Sequence, residues 1–379
     1  MRAIPTLTDG VVRLRPPLDD DIVGSVEQCQ DPLTQRWTSV PVPYTRDDAR
    51  TFLRQIIPGG WETEREWGFV VEAPDNGVPR FAGTISLRNE GDRRAEVAYG
   101  SHPWARGRGV MERALRMLLD WGFAERDLQT VIWLAQRGNW SSRRLAWRLG
   151  FSADGTLRDW LPQRGSLIDA WAGTLRLGEE MTPRSPWLES PTITGRGVVL
   201  RSMRESDLPR IVESRSDPVT QHWLQTQRDE GPHSLESHAG YLDARLEDAA
   251  NGLGVQWAMA DPDSDLYLGL MTVFGVHHGR KEAEVGYWAH PSARGRGITS
   301  EACRLVVRHA FVPLDEGGMG LRRLTADAAV GNDGSHRVLQ QAGFQRIGVE
   351  RRSTLLSNGS YVDSIRYDHL AETSQMYAR

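Results

Sequence analysis

The chain has 379 residues, room for two or three domains of ordinary size, and its 39% hydrophobic and 25% charged content is that of a globular protein. A formal net charge of −4 gives no indication of a general affinity for nucleic-acid phosphates, and no nucleic-acid partner is expected. No segment approaches the roughly 18 uninterrupted apolar residues of a membrane span. Residues 1–10 lack an apolar run behind a basic head, so no signal peptide is expected. Cys29 and Cys303 form no metal-type spacing, fit a reducing cytoplasm and are expected in the core; no metal site is expected.

In chain order, residues 11–15 read as a strand and 19–29 as a helix with an acidic start. Residues 40–60 read as a variable loop. Residues 66–72 and 80–87 read as antiparallel strands around a Pro/Asn/Gly turn, and 92–100 as a further strand. Gly107 and Gly109 then punctuate the chain. A helix over 110–124 follows, with Val110, Ala114, Leu115, Leu118 and Trp121 on one face. A strand over 131–135, a short helix over 141–149 and a hairpin over 155–175 complete the set.

The same order returns in the second half. Asp31-Pro32-Leu33-Thr34-Gln35-Arg36-Trp37 matches Asp217-Pro218-Val219-Thr220-Gln221-His222-Trp223, an offset of 217 − 31 = 186. Glu96-Val97-Ala98-Tyr99 matches Glu284-Val285-Gly286-Tyr287 at 284 − 96 = 188, and Gly150-Phe151 matches Gly343-Phe344 at 343 − 150 = 193. An offset growing in one direction marks loop insertions, with the extra residues expected in 313–321. A period this long means duplicated domains, each able to bury its own core. The expected division is a domain over 1–178, a linker over 179–194 containing Pro183, Pro186 and Pro191, and a domain over 195–379. Each is mixed α/β (α+β).

The chemistry gathers at the turn. His102-Pro103-Trp104-Ala105-Arg106-Gly107-Arg108-Gly109 matches His290-Pro291-Ser292-Ala293-Arg294-Gly295-Arg296-Gly297. Both octets follow a strand and open a helix, at Val110 and Ile298. Glycines admit positive φ and close approach of a ligand to the backbone. The first helical N–H groups are unpaired and the helix dipole favours an anion. With Arg106, Arg108, Arg294 and Arg296 nearby, this makes a pyrophosphate cradle. The alternative is a tight turn kept open for packing. A dinucleotide fingerprint is excluded because Glu112 and Ser300 stand where a third glycine belongs, and no Gly-Lys-Ser/Thr follows for a triphosphate loop.

These residues resemble the GNAT acyl-CoA N-acyltransferases, and more narrowly the ribosomal-protein N-acetyltransferases of the RimJ/RimL type. Further matches are Asn332-Asp333-Gly334-Ser335 leading to Ala342-Gly343-Phe344, and Arg351, Gly359, Tyr361 and Asp363. The first half carries Asn139, Ser142, Arg158, Gly165 and Asp169 in the corresponding places. The resemblance covers residues 8–178 and 195–372. It implies a largely antiparallel sheet splayed open at the turn in each half. It also implies acetyl-CoA as co-substrate, with its pyrophosphate on 105–110 or 293–298 and with Asn139 and Asn332 in contact. The acceptor it implies is a primary amine, of a protein N-terminus or a small molecule. The family's turn usually begins with Gln or Arg; here Trp104 and Ser292 stand there, and Arg106 and Arg294 are the residues available to compensate.

The resemblance further implies Glu96 and Glu284 as general bases, since an ammonium must lose a proton before its nitrogen attacks a thioester. It implies Ser142 and Ser335 as proton donors to the leaving thiolate. The alternatives are solvent-facing strand glutamates and helix-capping serines. Many relatives place a tyrosine acid on this second helix, where Trp147 and Gln340 stand here. Tyr99 and Tyr287, three residues after the glutamates, are expected on the opposite strand face unless a bulge intervenes. Trp37 and Trp223 are expected as core residues, with lining of the acceptor pocket as the alternative, and Arg158–Asp169 and Arg351–Asp363 as hairpin bridges. Acceptor selection is expected from residues 40–60 and 225–254. Two functions fit: an N-acetyltransferase, or a non-catalytic acyl-CoA-binding sensor or pseudoenzyme with one or both sites decayed.

Overall fold

The computed structural model describes residues 3–224, 233–238 and 240–371. It divides into two compact units, Met1–Arg184 and Ser185–Arg379. The first unit opens with β1 (Leu7–Thr8), β2 (Arg13–Arg15), α1 (Asp21–Gln30) and α2 (Pro32–Trp37). Then come α3 (Arg46–Thr51), a π turn at Phe52–Ile56 and α4 (Ile57–Glu62). Residues 40–60 are thus largely helical and not the loop expected. Thr45 and Asp48 form a reciprocal capping box, and Ala49, Leu53, Ile57 and Trp61, four residues apart, are all buried.

The sheet strands follow: β3 (Glu66–Asp75), β4 (Val78–Gly91) and β5 (Arg94–Ser101). A 3-10 turn at Pro103–Ala105 leads to α5 (Val110–Glu125), then β6 (Thr130–Gln136), α6 (Trp140–Arg148), β7 (Gly155–Gln163) and β8 (Ser166–Arg176). The order across the sheet is β1-β2-β3-β4-β5-β6-β8-β7. Every neighbouring pair is antiparallel except β5–β6.

The second unit repeats this with β9 (Ile193–Gly195), β10 (Val198–Arg201), α7 (Leu208–Ser216), α8 (Pro218–Trp223) and α9 (Tyr241–Ala250). β11 (Gly254–Ala260), β12 (Tyr267–His277), β13 (Glu282–Ala289), α10 (Ile298–Phe311) and β14 (Arg323–Ala329) come next. α11 (Asp333–Gln341), β15 (Gln345–Leu355) and β16 (Tyr361–Leu370) close it. Its order is β15-β16-β14-β13-β12-β11-β10-β9, with β13–β14 the parallel pair. The inserted residues fall where expected, in the connection 312–322 against 126–129 in the first unit. Of the segment 225–254, residues 225–232 and 239 lie outside the described residues, and α9 occupies much of the remainder.

The cores form as the periodicity requires. Ala114, Leu115, Leu118 and Leu119 of α5 and Ala302, Leu305, Val306 and Ala310 of α10 are buried against their sheets. Cys29 and Cys303 are buried and unpaired. Trp61, Trp67 and Trp121 cluster around Phe69 or each other, and the Arg126 guanidinium lies 4.9–5.2 Å from all three indole rings.

Both units lock the entry to the first helix with a buried arginine. Arg15 makes a two-pronged contact with Asp21 at 2.8 Å and reaches Glu72 at 2.7 Å. Arg201 does the same with Asp207 at 2.8 and 2.9 Å and with Asp265 at 2.6 Å. Deleting one member leaves a buried charge without its counterion. Arg201→Met should therefore destabilise the second unit by about 3 kcal/mol. Urea unfolding, followed by a probe in that unit, checks this; a change below about 0.5 kcal/mol would mean that Asp207 stays hydrated.

Candidate active site

The parallel pair in each sheet is short. β5 and β6 pair only from Arg94↔Thr130 to Val97↔Trp133, and β13 and β14 only from Glu282↔Arg323 to Glu284↔Thr325. Beyond those points each strand stays bonded to its outer neighbour: β5 to β4 as far as Ser101, β6 to β8 as far as Gln136. The two halves of the sheet therefore diverge, and the gap opens toward the glycine turn. In the first unit this gap is a cavity of about 640 Å³.

At one end of the cavity lies the turn. Gly107 and Gly109 both have φ of +72°, and Gly295 and Gly297 have +73° and +74°. A side chain on any of them would project into open space with no atom within 4 Å. Gly109 and Gly297 are the N-caps of α5 and α10, and no side chain caps either helix. The first N–H groups of two long helices thus face a gap bounded by bare backbone, which fits a pyrophosphate. Gly107, Gly109, Val110 and Arg106 line the cavity in the first unit.

The arginines are placed differently from one another. Arg106 bonds Asp31 at 2.6 Å and the Thr34 hydroxyl at 2.8 Å; Arg294 bonds Asp217 and, at 2.7 Å, Thr220. Their charge is committed to the N-cap of α2 or α8, since Asp31 and Asp217 also accept the Thr34 and Thr220 N–H groups. These ties explain the repeated Asp-Pro-x-Thr: it anchors the turn. The repeat is visible in the sequence, but its role is not. Arg108 pairs with Asp75 at 3.2 Å and covers Trp104, while Arg296 lies 4.0 Å from Asp261; both stay half exposed.

Glu96 stands in the cavity wall. Burial pushes its carboxyl up, and the guanidinium of Arg88, directly opposite on β4 at 3.1 Å, counters this. Glu284 is also raised, first by burial and then by Asp327. Phe274 replaces the arginine opposite it, and Glu284 makes no ion pair among the described residues. Phe274 also lines a cavity of about 350 Å³ with Thr272, Gly254 and Arg245.

Asn139 and Asn332 cap α6 and α11, accepting the N–H of Ser142 at 3.2 Å and of Ser335 at 3.1 Å. Asparagine is thus the cap and the serine hydroxyl is left for other use. Ser142 shares a 2.8 Å hydrogen bond with the Tyr99 hydroxyl, and Ser335 one of 2.9 Å with Tyr287. Pairing is regular from Glu96 to Tyr99 and from Glu284 to Tyr287, with no bulge between them. Glutamate and tyrosine therefore occupy opposite faces, and the splay lets both Glu96 and Tyr99 line one cavity. Trp37 lines it too, the alternative to a core place, because α2 ends at the cavity rim. The hairpin bridges do not form: Asp169 and Asp363 accept the N–H groups of Asp159 and Arg352 instead.

The anchor carries a pH signature. Arg294 holds the Asp217 carboxyl below the usual carboxylate range. Its contribution is present above the unfolded value of about 3.9 and is lost as pH falls through the lower folded value. Asp217→Ala should cost about 1 kcal/mol of cap at neutral pH and nothing additional at the acid end. Thermal melts of both proteins across pH 3–7 check this; a constant difference would contradict it.

The chain matches the family model "Acetyltransferase (GNAT) domain" twice, over residues 12–152 and 198–345. YdaF of Bacillus subtilis is 33% identical over 102 residues, 27% of this chain and 52% of its own length. The chain thus spans about half of that relative. The ribosomal-protein-serine acetyltransferase of Escherichia coli is 28% identical over 109 residues, 29% of this chain and 58% of that protein. Among solved structures, Mycobacterium smegmatis RimJ in complex with CoA-disulfide aligns at a TM-score of 0.43 and 22% identity, covering 48% of this chain and 84% of that one. No described helix is long and apolar enough to cross a membrane. With a splayed sheet and a matching domain in each half, the chain belongs to the GNAT acetyltransferase family.

Proposed function

We propose that the protein transfers an acetyl group from acetyl-CoA to the primary amine of a protein N-terminus or a small molecule. The observation that carries this reading is the cavity of the first unit. It is lined by the uncapped start of α5, by a glutamate raised by burial and by Ser142 of α6. The names of the relatives support a protein acceptor, since one acts on ribosomal-protein serine.

In this reading Gly107, Gly109 and Val110, or Gly295, Gly297 and Ile298, hold the pyrophosphate through backbone N–H groups. Arg108 and Arg296 screen the remaining charge at the surface. The carboxylate of Glu96 or Glu284 takes a proton from the incoming ammonium. The freed nitrogen attacks the thioester carbon, and the C–S bond breaks as the amide forms. The carboxylate passes this first proton to solvent, and the second proton, lost by nitrogen as the tetrahedral adduct collapses to the amide, leaves by the same route. Ser142 or Ser335 gives its hydroxyl proton to the thiolate and regains one from solvent. Amine and thioester become amide and thiol.

A raised carboxyl puts the acid limb of kcat/KM above the ordinary glutamate value near 4.3, because the base must be ionised. Glu284→Gln, measured with the first site blocked by Gly107→Trp, should lower kcat by about 10²–10⁴ and abolish that limb. Thiol release with a serine-terminated peptide reads both. Near-normal kcat from pH 6 to 9 would make Glu284 a solvated strand residue.

The two sites should differ. Arg88 favours the ionised form of Glu96, so Arg88→Met should move the acid limb of the first site to higher pH. A limb that stays put, with Gly297→Trp blocking the second site, would show that Arg88 does not reach the base in solution.

A further inference from the structure

The serine of each site is not alone. In the first unit the indole N–H of Trp133 lies 3.1 Å from Ser142 Oγ and 3.3 Å from the Tyr99 hydroxyl. An indole N–H only donates, so Ser142 Oγ accepts there. In the second unit the strand position one beyond the Glu284↔Thr325 pair holds Ala326, where the first unit has Trp133. The lost ring volume returns from the next strand: Gly173 stands opposite Trp133, but Tyr367 stands opposite Ala326. Tyr367 spends its hydroxyl on His336 at 2.9 Å and not on the serine. Ser335 Oγ is left with Tyr287 as its side-chain partner among the described residues, and the Tyr287 hydroxyl also lies 3.2 Å from the Ser335 carbonyl oxygen as a second acceptor.

We propose that Tyr99 and Tyr287 are positioning residues that donate to the serine oxygen and thereby aim the serine proton into the splay, with Trp133 as a second such donor in the first site only. This deepens the acetyltransferase reading and rests on it. A serine whose oxygen accepts a fixed donor has its own O–H free for the thiolate. Without that donor the hydroxyl rotates among other acceptors. Burial pushes both tyrosine hydroxyls up, so they keep their protons at neutral pH and can donate to the serine oxygen. The serine proton passes to sulfur and the tyrosine proton stays where it is.

The swap makes the two sites respond unequally to the same substitution, which a merely structural tyrosine would not do. One neutral hydrogen bond corresponds to about two- to tenfold in rate. With the other site blocked at Gly107 or Gly297, Tyr287→Phe should lower kcat about tenfold with KM for acetyl-CoA unchanged. Tyr99→Phe should lower it only about twofold, because Trp133 still donates. Adding Trp133→Phe should bring the first site down about tenfold. Tyr287→Phe should have no further effect once Ser335→Ala is present. Equal losses in the two sites, or additive losses with Ser335→Ala, would overturn the assignment.

A readout without turnover tests the bond itself. In urea unfolding, Tyr287→Phe and Ser335→Ala should be less than additive, and strict additivity would remove the geometric premise. If Ser335→Ala alone leaves kcat intact, the positioning role falls while the acetyltransferase stands. If the intact chain releases no thiol and binds no acetyl-CoA, the functional reading itself falls.

Discussion

Everything at the site depends on where one pair of parallel strands stops bonding. β5 and β6 share four residue pairs and β13 and β14 three, and each strand then follows its antiparallel neighbour. Antiparallel ladders on both sides hold the sheet halves, so the parting costs only the unpaired polar groups along the gap. Those groups are what a ligand finds. The same divergence brings a glutamate from one face and a tyrosine–serine pair from the other to a single cavity, though strand alternation separates them.

The turn is held from outside. Arg106 and Arg294 do not spend their charge on the cradle; they tie it to the caps of α2 and α8. This leaves backbone amides and the helix dipole to meet an anion, which suits a phosphate whose approach must be close. It also explains how the turn tolerates Trp104 in one unit and Ser292 in the other. His102 and His290 hold the 3-10 turn ahead of it in both, accepting from the N–H two residues on.

Much of this was legible in the sequence because duplication singled out the residues that matter. The glycine turn, the strand glutamate and the Asn-x-x-Ser helix start survive in both halves at nearly constant offset. The helices of 46–62 were missed: Thr45-x-x-Asp48 and the four-residue spacing of Ala49, Leu53, Ile57 and Trp61 signal them, but Pro58, Gly59 and Gly60 read as a loop. The role of Arg106 was not legible, because its partner Asp31 lies 75 residues away. Nor was the exchange of Trp133 and Gly173 for Ala326 and Tyr367. Each residue alone looks like drift, and only the register of β6 with β8 and β14 with β16 shows one ring replacing another.

The central claim is that each parting of the sheet is a site for acetyl-CoA. Calorimetric titration of the full chain with acetyl-CoA tests it most directly. Two equivalents should bind per chain, falling to one with either Gly107→Trp or Gly297→Trp and to none with both, since a side chain at φ near +72° is strained by about 1–2 kcal/mol and fills the approach to the helix start. Undiminished binding in the doubly substituted chain would contradict the account.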